Sequence, residues 1–368
     1  MDQNTVIPDA EVVETPAETT GTPAETAEIP AEKPKASFRK KKQAEMPEKF
    51  TVSPAPFVKS PETVSTMMLD VIIALIPAYL WGIYVFGFRA AAIALVSIAS
   101  ALLSEAVVRF LLRRTASIGD LSAVVTGLLM AMLMPVSVPL WVPAAGSCFA
   151  IVVVKQIFGG IGNNFVNPAL AGWMFLTFFG DHLTKFPQPG AKINSFAVTL
   201  AEDEITLGVN PLLALKAGEL PETNLFDMMI GNTPGAIGEV SSLLLIAGGI
   251  YLLWRRVISW HIPAAFIGTA ALITFVLPQY TGIPLDFMLY EIFAGGLILG
   301  AFFMATDTTT SPVTVLGKLI YGIGCGILTV VIRYFCDSAE GMHCAILVMN
   351  LLAWPIEKLT MPRRFGGK

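Results

Sequence analysis

Two stretches decide how the chain is read: "GLLMAMLMPVSVP", Gly127 to Pro139, and "GGLILGAFFMATDTTTSP", Gly295 to Pro312. Each starts as an apolar helix and breaks into Ser, Thr and Pro. Crossing a hydrocarbon layer of ~30 Å takes about 20 apolar residues. Pro135 and Pro139 stop the first stretch early, and a run of hydroxyls around Asp307 ends the second. Broken helices are tolerated at membrane depth only where protein or a cavity covers the freed backbone groups. The two stretches therefore point to a helical membrane protein in which interrupted helices line something.

The composition agrees. The 368 residues are 54% hydrophobic and 14% charged, with a mean hydropathy of +0.66. A soluble domain carries about 25% charge. Nothing in the charge pattern suggests nucleic-acid binding. The four cysteines, Cys148, Cys325, Cys336 and Cys344, form no CxxC pair, and no disulfide framework is expected. Residues 1–62 read as a disordered tail. The tail repeats "TPAET" at Thr15 and Thr22 and ends in a basic cluster, "FRKKKQ", Phe38 to Gln43. It has too little apolar surface to fold alone, and it holds no apolar segment of the length a signal peptide needs.

Apolar runs predict ten helices, near 67–87, 90–109, 121–134, 141–157, 167–180, 236–254, 258–277, 287–305, 315–335 and 341–357. The expected fold is an all-α polytopic membrane protein of about ten transmembrane helices. Helices 1–5 fill 63–180, a polar loop covers 181–235, and helices 6–10 fill 236–358. A basic C-terminus follows at 359–368. With the tail in the cytoplasm, 19 of the Lys and Arg residues fall on the cytoplasmic side and five outside. That asymmetry sets the orientation. Both termini are then cytoplasmic and the loop 181–235 extracytoplasmic. Five helices per half make the second half an inverted copy of the first. The two broken stretches are then counterparts near the pseudo-symmetry axis, where such folds place their sites.

Candidate residues follow from chemistry. "GGIGNNFVNPALAG", Gly159 to Gly172, holds Gly159, Gly160 and Gly162, which allow tight turns. Asn163, Asn164 and Asn167 can cap a helix starting at Pro168. The same amides could instead cradle a polar ligand group. Asp307, amid Thr306 to Ser311, reads either as a helix end or as the lining of a ligand or ion cavity. Acids in or near membrane helices, namely Asp70, Glu105, Asp120, Glu239 and Glu291, are costly and often functional. Asp307, Glu239, Asp70 and Glu291 are the candidates for an ion pathway. No metal site is expected at Cys336, His343 and Cys344, whose spacing fits no common zinc pattern.

"MLDVIIALIPA" (Met68 to Ala78), "GDLSAVVTGLLMAMLMP" (Gly119 to Pro135), "KQIFGGIGNNFVNPALAG" (Lys155 to Gly172), "GNTPGAIGEVSSLLLIAGGIYLLWRRVISWHIP" (Gly231 to Pro263) and "FFMATDTTTSPVT" (Phe302 to Thr314) occur in this order. Together they resemble the NqrB/RnfD family over about residues 50 to 365. The likeness is closer to its Rnf branch, the D subunits, than to its sodium-pumping NADH:quinone reductase branch. The resemblance implies a membrane subunit of a redox-driven complex that moves Na+ or H+, not an enzyme by itself. It implies other complex subunits and the bilayer as partners, and the cell inner membrane as location. It also implies FMN, joined by a phosphoester to a threonine in the extracytoplasmic loop.

In "ITLGVNPLLALKAG", Ile205 to Gly218, the position matching that threonine is Asn210. An amide has no hydroxyl to esterify. Three readings stay open. Flavin binds the loop without a covalent bond, or it is attached to Thr206 or Thr199 nearby, or this subunit has lost it. The resemblance also allows a second, noncovalent flavin, for which the Gly159 to Asn167 loop and the Asp307 region are candidates. From the residues alone, a stand-alone channel or transporter of urea-channel-like fold is the alternative.

Overall fold

The computed structural model describes residues 63–113, 118–179, 181–199, 206–336 and 340–362. The expected tail, 1–62, and most of the basic C-terminus lie outside the described residues.

The described chain is all-helical, apart from one isolated antiparallel bridge between Pro187 and Leu207. In order the α-helices are α1 Val64–Phe86, α2 Phe88–Leu111, α3 Ser122–Met132, α4 Trp141–Phe149, α5 Pro168–Thr177, α6 Pro211–Lys216, α7 Leu225–Ile230, α8 Ser242–Trp254, α9 His261–Val276, α10 Pro284–Phe293, α11 Leu297–Leu299, α12 Val315–Phe335 and α13 Met342–Thr360. α4 continues as a π-helix, Ala150–Gln156, and α11 as another, Gly300–Met304.

Four helices, α1, α2, α12 and α13, are long and apolar enough to cross a membrane. α10 with the α11 segment passes as a fifth, bent by 64°. Five shorter apolar helices complete the bundle: α3, α4 with its π extension, α5, α8 and α9. Each of the ten expected segments contains a helix, with three differences in detail. The eighth, read as one run over 287–305, is two pieces. Gly295 sits between them at φ +66°, a left-handed conformation that glycine adopts without cost. A Cβ there would lie 2.6 Å from Leu212 Cδ1, so the tip of that side chain would also have to shift. α3 ends at Met132, ahead of Pro135. The polar loop over 181–235, for which no helix is predicted, carries α6 and α7.

The apolar core runs through α1, α2, α3, α8, the α11 segment and α12, with Leu75, Ile93, Met130, Leu299 and Tyr321 fully buried. The opposite surface is apolar too: Leu80, Leu95, Leu103, Trp254 and Leu272 are exposed. Such a wide apolar exterior is what a lipid-facing bundle shows.

The polar loop is fastened to this frame by Arg89, which is fully buried at the start of α2. Its guanidinium donates to Val136 O and Val138 O after α3, at 3.0 and 2.9 Å, and to Ser195 O and Ala197 O in the loop, at 3.0 and 2.8 Å. Trp81 Nε1 adds a bond to Ile230 O at the end of α7, 2.8 Å away. The loop therefore packs at the end of α1, which makes that face the loop side of the bundle.

Candidate functional site

At the opposite end, where α1, α3 and α5 begin, the helix ends enclose a cavity of about 280 Å³. Its walls come from segments far apart in sequence: Met68 of α1, Thr126 of α3, Lys155, Asn164 and Asn167, Phe302, and Asp307. The two motifs singled out by composition, Gly159 to Asn167 and Thr306 to Thr309, thus meet at one hollow.

Asn167 makes the junction. Its side chain caps α5, with Oδ1 accepting from Ala169 N at 3.0 Å and Leu170 N at 3.4 Å, and Pro168 takes the first helical position. That is the expected local chemistry. Its Nδ2 donates to Met304 O at 3.3 Å, where the π-helix after α11 ends and the threonine loop begins. Asn164 is buried, and its Oδ1 has no hydrogen-bond partner among the described residues. A buried acceptor without a donor costs about 1–3 kcal/mol; the same residue is among those that line the cavity. Asn163 is exposed and does not line the cavity. Gly159, Gly160 and Gly162 all have positive φ. Gly159 and Gly160 border a second, more open hollow of about 340 Å³ beside Arg109, Asp120 and Gln156.

Asp307 is half-buried. Its Oδ1 accepts from Thr309 N at 3.2 Å and its Oδ2 from Thr309 Oγ1 at 3.0 Å. Burial pushes its carboxyl above the usual value, against the pull of these bonds.

A buried ionic network supports the cavity from the side of α2. Lys155 Nζ donates to Glu105 Oε1 and Oε2 at 3.1 and 3.0 Å and to Ser122 Oγ at 2.6 Å. Gln156 Nε2 and Arg109 Nε each donate to Glu105 Oε1 at 3.0 Å. Lys155 and Gln156 are consecutive, yet both reach Glu105, because they close the π-helix. Such wide turns recur at functional sites. Lys155 therefore presents a fixed positive charge in the cavity wall.

Asn210, matching the flavin-threonine position, is 2% exposed and caps α6, accepting from Leu212 N at 2.9 Å. Its Nδ2 has no partner among the described residues. The residue is spent on local structure and buried, and it offers neither a hydroxyl nor room for a phosphoester. Thr206 and Thr199 are exposed; the carbonyl of Thr206 accepts from Gln188 N at 2.8 Å.

The remaining acids fall elsewhere. Asp70 is buried on α1 and ties it to α8, accepting from Tyr251 Oη at 2.9 Å and Arg255 Nε at 3.1 Å. Glu239 and Glu291 are both buried on the loop side, apart from the cavity. Sequence reading misses Lys155 as a site residue and, on the loop side, Arg333 and Glu340. The available signal is a charge inside or beside an apolar segment, which by itself reports only on topology.

An all-helical bundle with several membrane spans, interrupted helices and a ligand-sized cavity at their broken ends defines a multi-pass membrane protein. The chain belongs to the NQR2, RnfD, RnfE family, whose model matches residues 51–366. It is 41% identical over 309 residues to the D subunit of the Na(+)-translocating ferredoxin:NAD(+) oxidoreductase complex of Acetobacterium woodii, covering 83% of this chain and 92% of the relative. It is 36% identical over 316 residues to the D subunit of the proton-translocating ferredoxin:NAD(+) oxidoreductase complex of Clostridium ljungdahlii, covering 83% and 93%. It is also 36% identical over 332 residues to the D subunit of the ion-translocating oxidoreductase complex of Stutzerimonas stutzeri, again covering 83% and 93%.

Proposed function

We propose that this chain is the D subunit of an Rnf-type complex in the cytoplasmic membrane, and that its cavity holds a noncovalent flavin. The observation that carries the cofactor reading is the meeting of Asn164, Asn167, Lys155 and Asp307 at one hollow. The volume is close to the lower bound of small-molecule sites, about 300 Å³. Asn210, as a buried cap, does not fit the family's covalent flavin.

A bound flavin supplies one- and two-electron transfer. The chain's own residues set the conditions. Asn164, on the cavity wall, would hold a polar edge of the ring. The apolar walls, Phe302 among them, exclude water. The Lys155 ammonium, held by Glu105, favours any gain of negative charge in the cavity, since such interactions strengthen where water is excluded. A gain of charge also favours cation uptake nearby; Asp307, on the cavity wall, is the group placed to bias it.

The charge asymmetry supports cytoplasmic termini and an extracytoplasmic loop. The cavity then opens toward the cytoplasm. The helix neighbours support an inverted repeat: α2 packs on α3 and α4 as α9 packs on α10 and α12, and α4 meets α5 as α12 meets α13.

Affinity purification from the native membrane tests the assignment. A true Rnf component brings down partner subunits and flavin absorbance. A chain that elutes alone, colourless, and conducts solute after reconstitution is a channel instead.

A further inference from the structure

The wall between the cavity and the second hollow holds a short hydrogen-bonded chain. Val64 and Ile161 border both hollows, and their apolar side chains carry no proton. Ser122 and Lys155 line the cavity, and Asp120 lines the outer hollow. Ser122 Oγ lies 2.7 Å from Asp120 Oδ1 and 2.6 Å from Lys155 Nζ. Bonded polar groups thus run from one hollow to the other. The Asp120 side chain is 15% exposed and that of Lys155 only 2%, so the aqueous end of the chain is Asp120.

We propose that Asp120 and Ser122 form a proton relay from the outer hollow to the cavity, which protonates a ligand there once it gains negative charge.

A serine hydroxyl has one proton to give and two lone pairs to accept with. With Asp120 ionised, the Ser122 proton goes to Oδ1, and one lone pair takes the Lys155 ammonium. When Asp120 picks up a proton from water, Oδ1 becomes the donor. Both lone pairs of Oγ are then filled, by Asp120 and Lys155, and the hydroxyl proton is left for an acceptor in the cavity. Delivery breaks the Ser122 Oγ–H bond and forms a bond from that proton to the acceptor. The Asp120 Oδ1–H bond breaks in turn, remakes Oγ–H and leaves a carboxylate. The net change is one proton moved from water to the cavity, with no electron exchanged with the relay.

The neighbouring charges suit these roles. Lys155 stays an ammonium, held by both oxygens of Glu105, and it eases passing negative charge on Oγ, since such interactions strengthen away from water. Arg109 Nη2 stands 4.0 Å from Asp120 Oδ2 and favours the carboxylate, so Asp120 hands its proton on. Asp307 is the other acid of the cavity wall.

The contact goes beyond a helix cap. A cap of α3 needs only the bond from Ser122 N to Asp120 Oδ1, 3.1 Å; the bond from the hydroxyl, with a buried ammonium behind it, is additional. Leu121 between them has φ +60°, uncommon for a bulky residue. Thr126 Oγ1 donates to Ser122 O at 2.9 Å and fixes the first turn of α3.

The proposal rests on the flavin reading for its acceptor. Stopped-flow reduction of the purified native complex, with a pH-indicator dye, reads proton uptake beside flavin absorbance. The wild type should show an uptake phase slowed in D2O and absent from Asn164→Leu. Asp120→Asn, which keeps an oxygen for Ser122 N, and Ser122→Ala should each slow that phase by on the order of 100-fold, with flavin content unchanged. Asp120→Ala should be slow as well, and added formate, a small weak acid able to enter the outer hollow, should restore it; formate should not restore Ser122→Ala. A phase lost in Asn164→Leu but unslowed in Asp120→Asn and Ser122→Ala overturns the relay alone. A phase that persists in Asn164→Leu belongs to another flavin and overturns the flavin reading with it. Should Ser122→Ala not assemble, Asp120→Asn must still slow the phase and formate must still restore Asp120→Ala; failure of either overturns the relay.

Discussion

Asn167 Nδ2 donates to Met304 O across 3.3 Å, joining residues 137 apart in sequence. One side chain caps α5 and pins the end of the π-helix after α11, so the two polar interruptions of the bundle are held as one structure.

Asn167→Ala removes both functions. Losing an asparagine cap costs about 1 kcal/mol, and the Met304 carbonyl is left without this donor. Asn167→Ser retains a cap but not the reach to Met304. The thermal midpoint of the purified complex should fall for Ala and less for Ser, while both lose flavin from the cavity. Equal flavin retention in wild type and both variants would separate this tether from the cofactor.

Glu105 is fully buried and holds Lys155 and Arg109. Breaking a buried pair from one side costs about 3–5 kcal/mol, because the surviving charge is stranded. Glu105→Ala should therefore sharply lower the yield of folded complex. Glu105→Gln paired with Lys155→Met should recover much of it, because neither of these two positions then carries a buried charge left without its partner. A double variant no better than Glu105→Ala would place the lost stability outside the pair.

Arg89 fastens the loop through four carbonyls, two of them at Ser195 and Ala197. Arg89→Lys keeps the charge but cannot reproduce the planar fork. Limited proteolysis should then cut within 181–199 faster than in wild type. Unchanged cleavage would mean that Trp81 and the packing of α6 and α7 suffice.

Cys336 is exposed at the end of α12, whereas Cys148 is exposed on α4, on an apolar wall. With the proposed topology, a membrane-impermeant maleimide added outside intact cells should label Cys336 and spare Cys148. Labelling of Cys336 only after lysis would invert the orientation.

Much of this is legible in the sequence, and the exceptions have physical causes. Apolar length and period locate every long helix. The bend at Gly295 is hidden because its neighbours are apolar, so the run reads as continuous; the left-handed φ that favours glycine there shows only in the folded chain. The π-helices leave no pattern, since inserting one residue does not alter composition. Asn167 is readable as a cap from the Pro after it, but its second bond, to Met304, is not. Glu239 and Glu291 stand out as acids near helices. The partner of Glu291 does not: Arg333, whose Nη1 donates to its Oε2, counts in the sequence only as a topology charge.

The central claim is that this subunit carries flavin in its cavity and without a covalent bond. The direct measurement compares flavin released by acid from the native complex with in-gel flavin fluorescence of the denatured subunit, for wild type and Asn164→Leu. The account predicts a dark wild-type band, and about one fewer equivalent of released flavin in an Asn164→Leu complex that still assembles. A fluorescent wild-type band, or released flavin unchanged by Asn164→Leu, would contradict it.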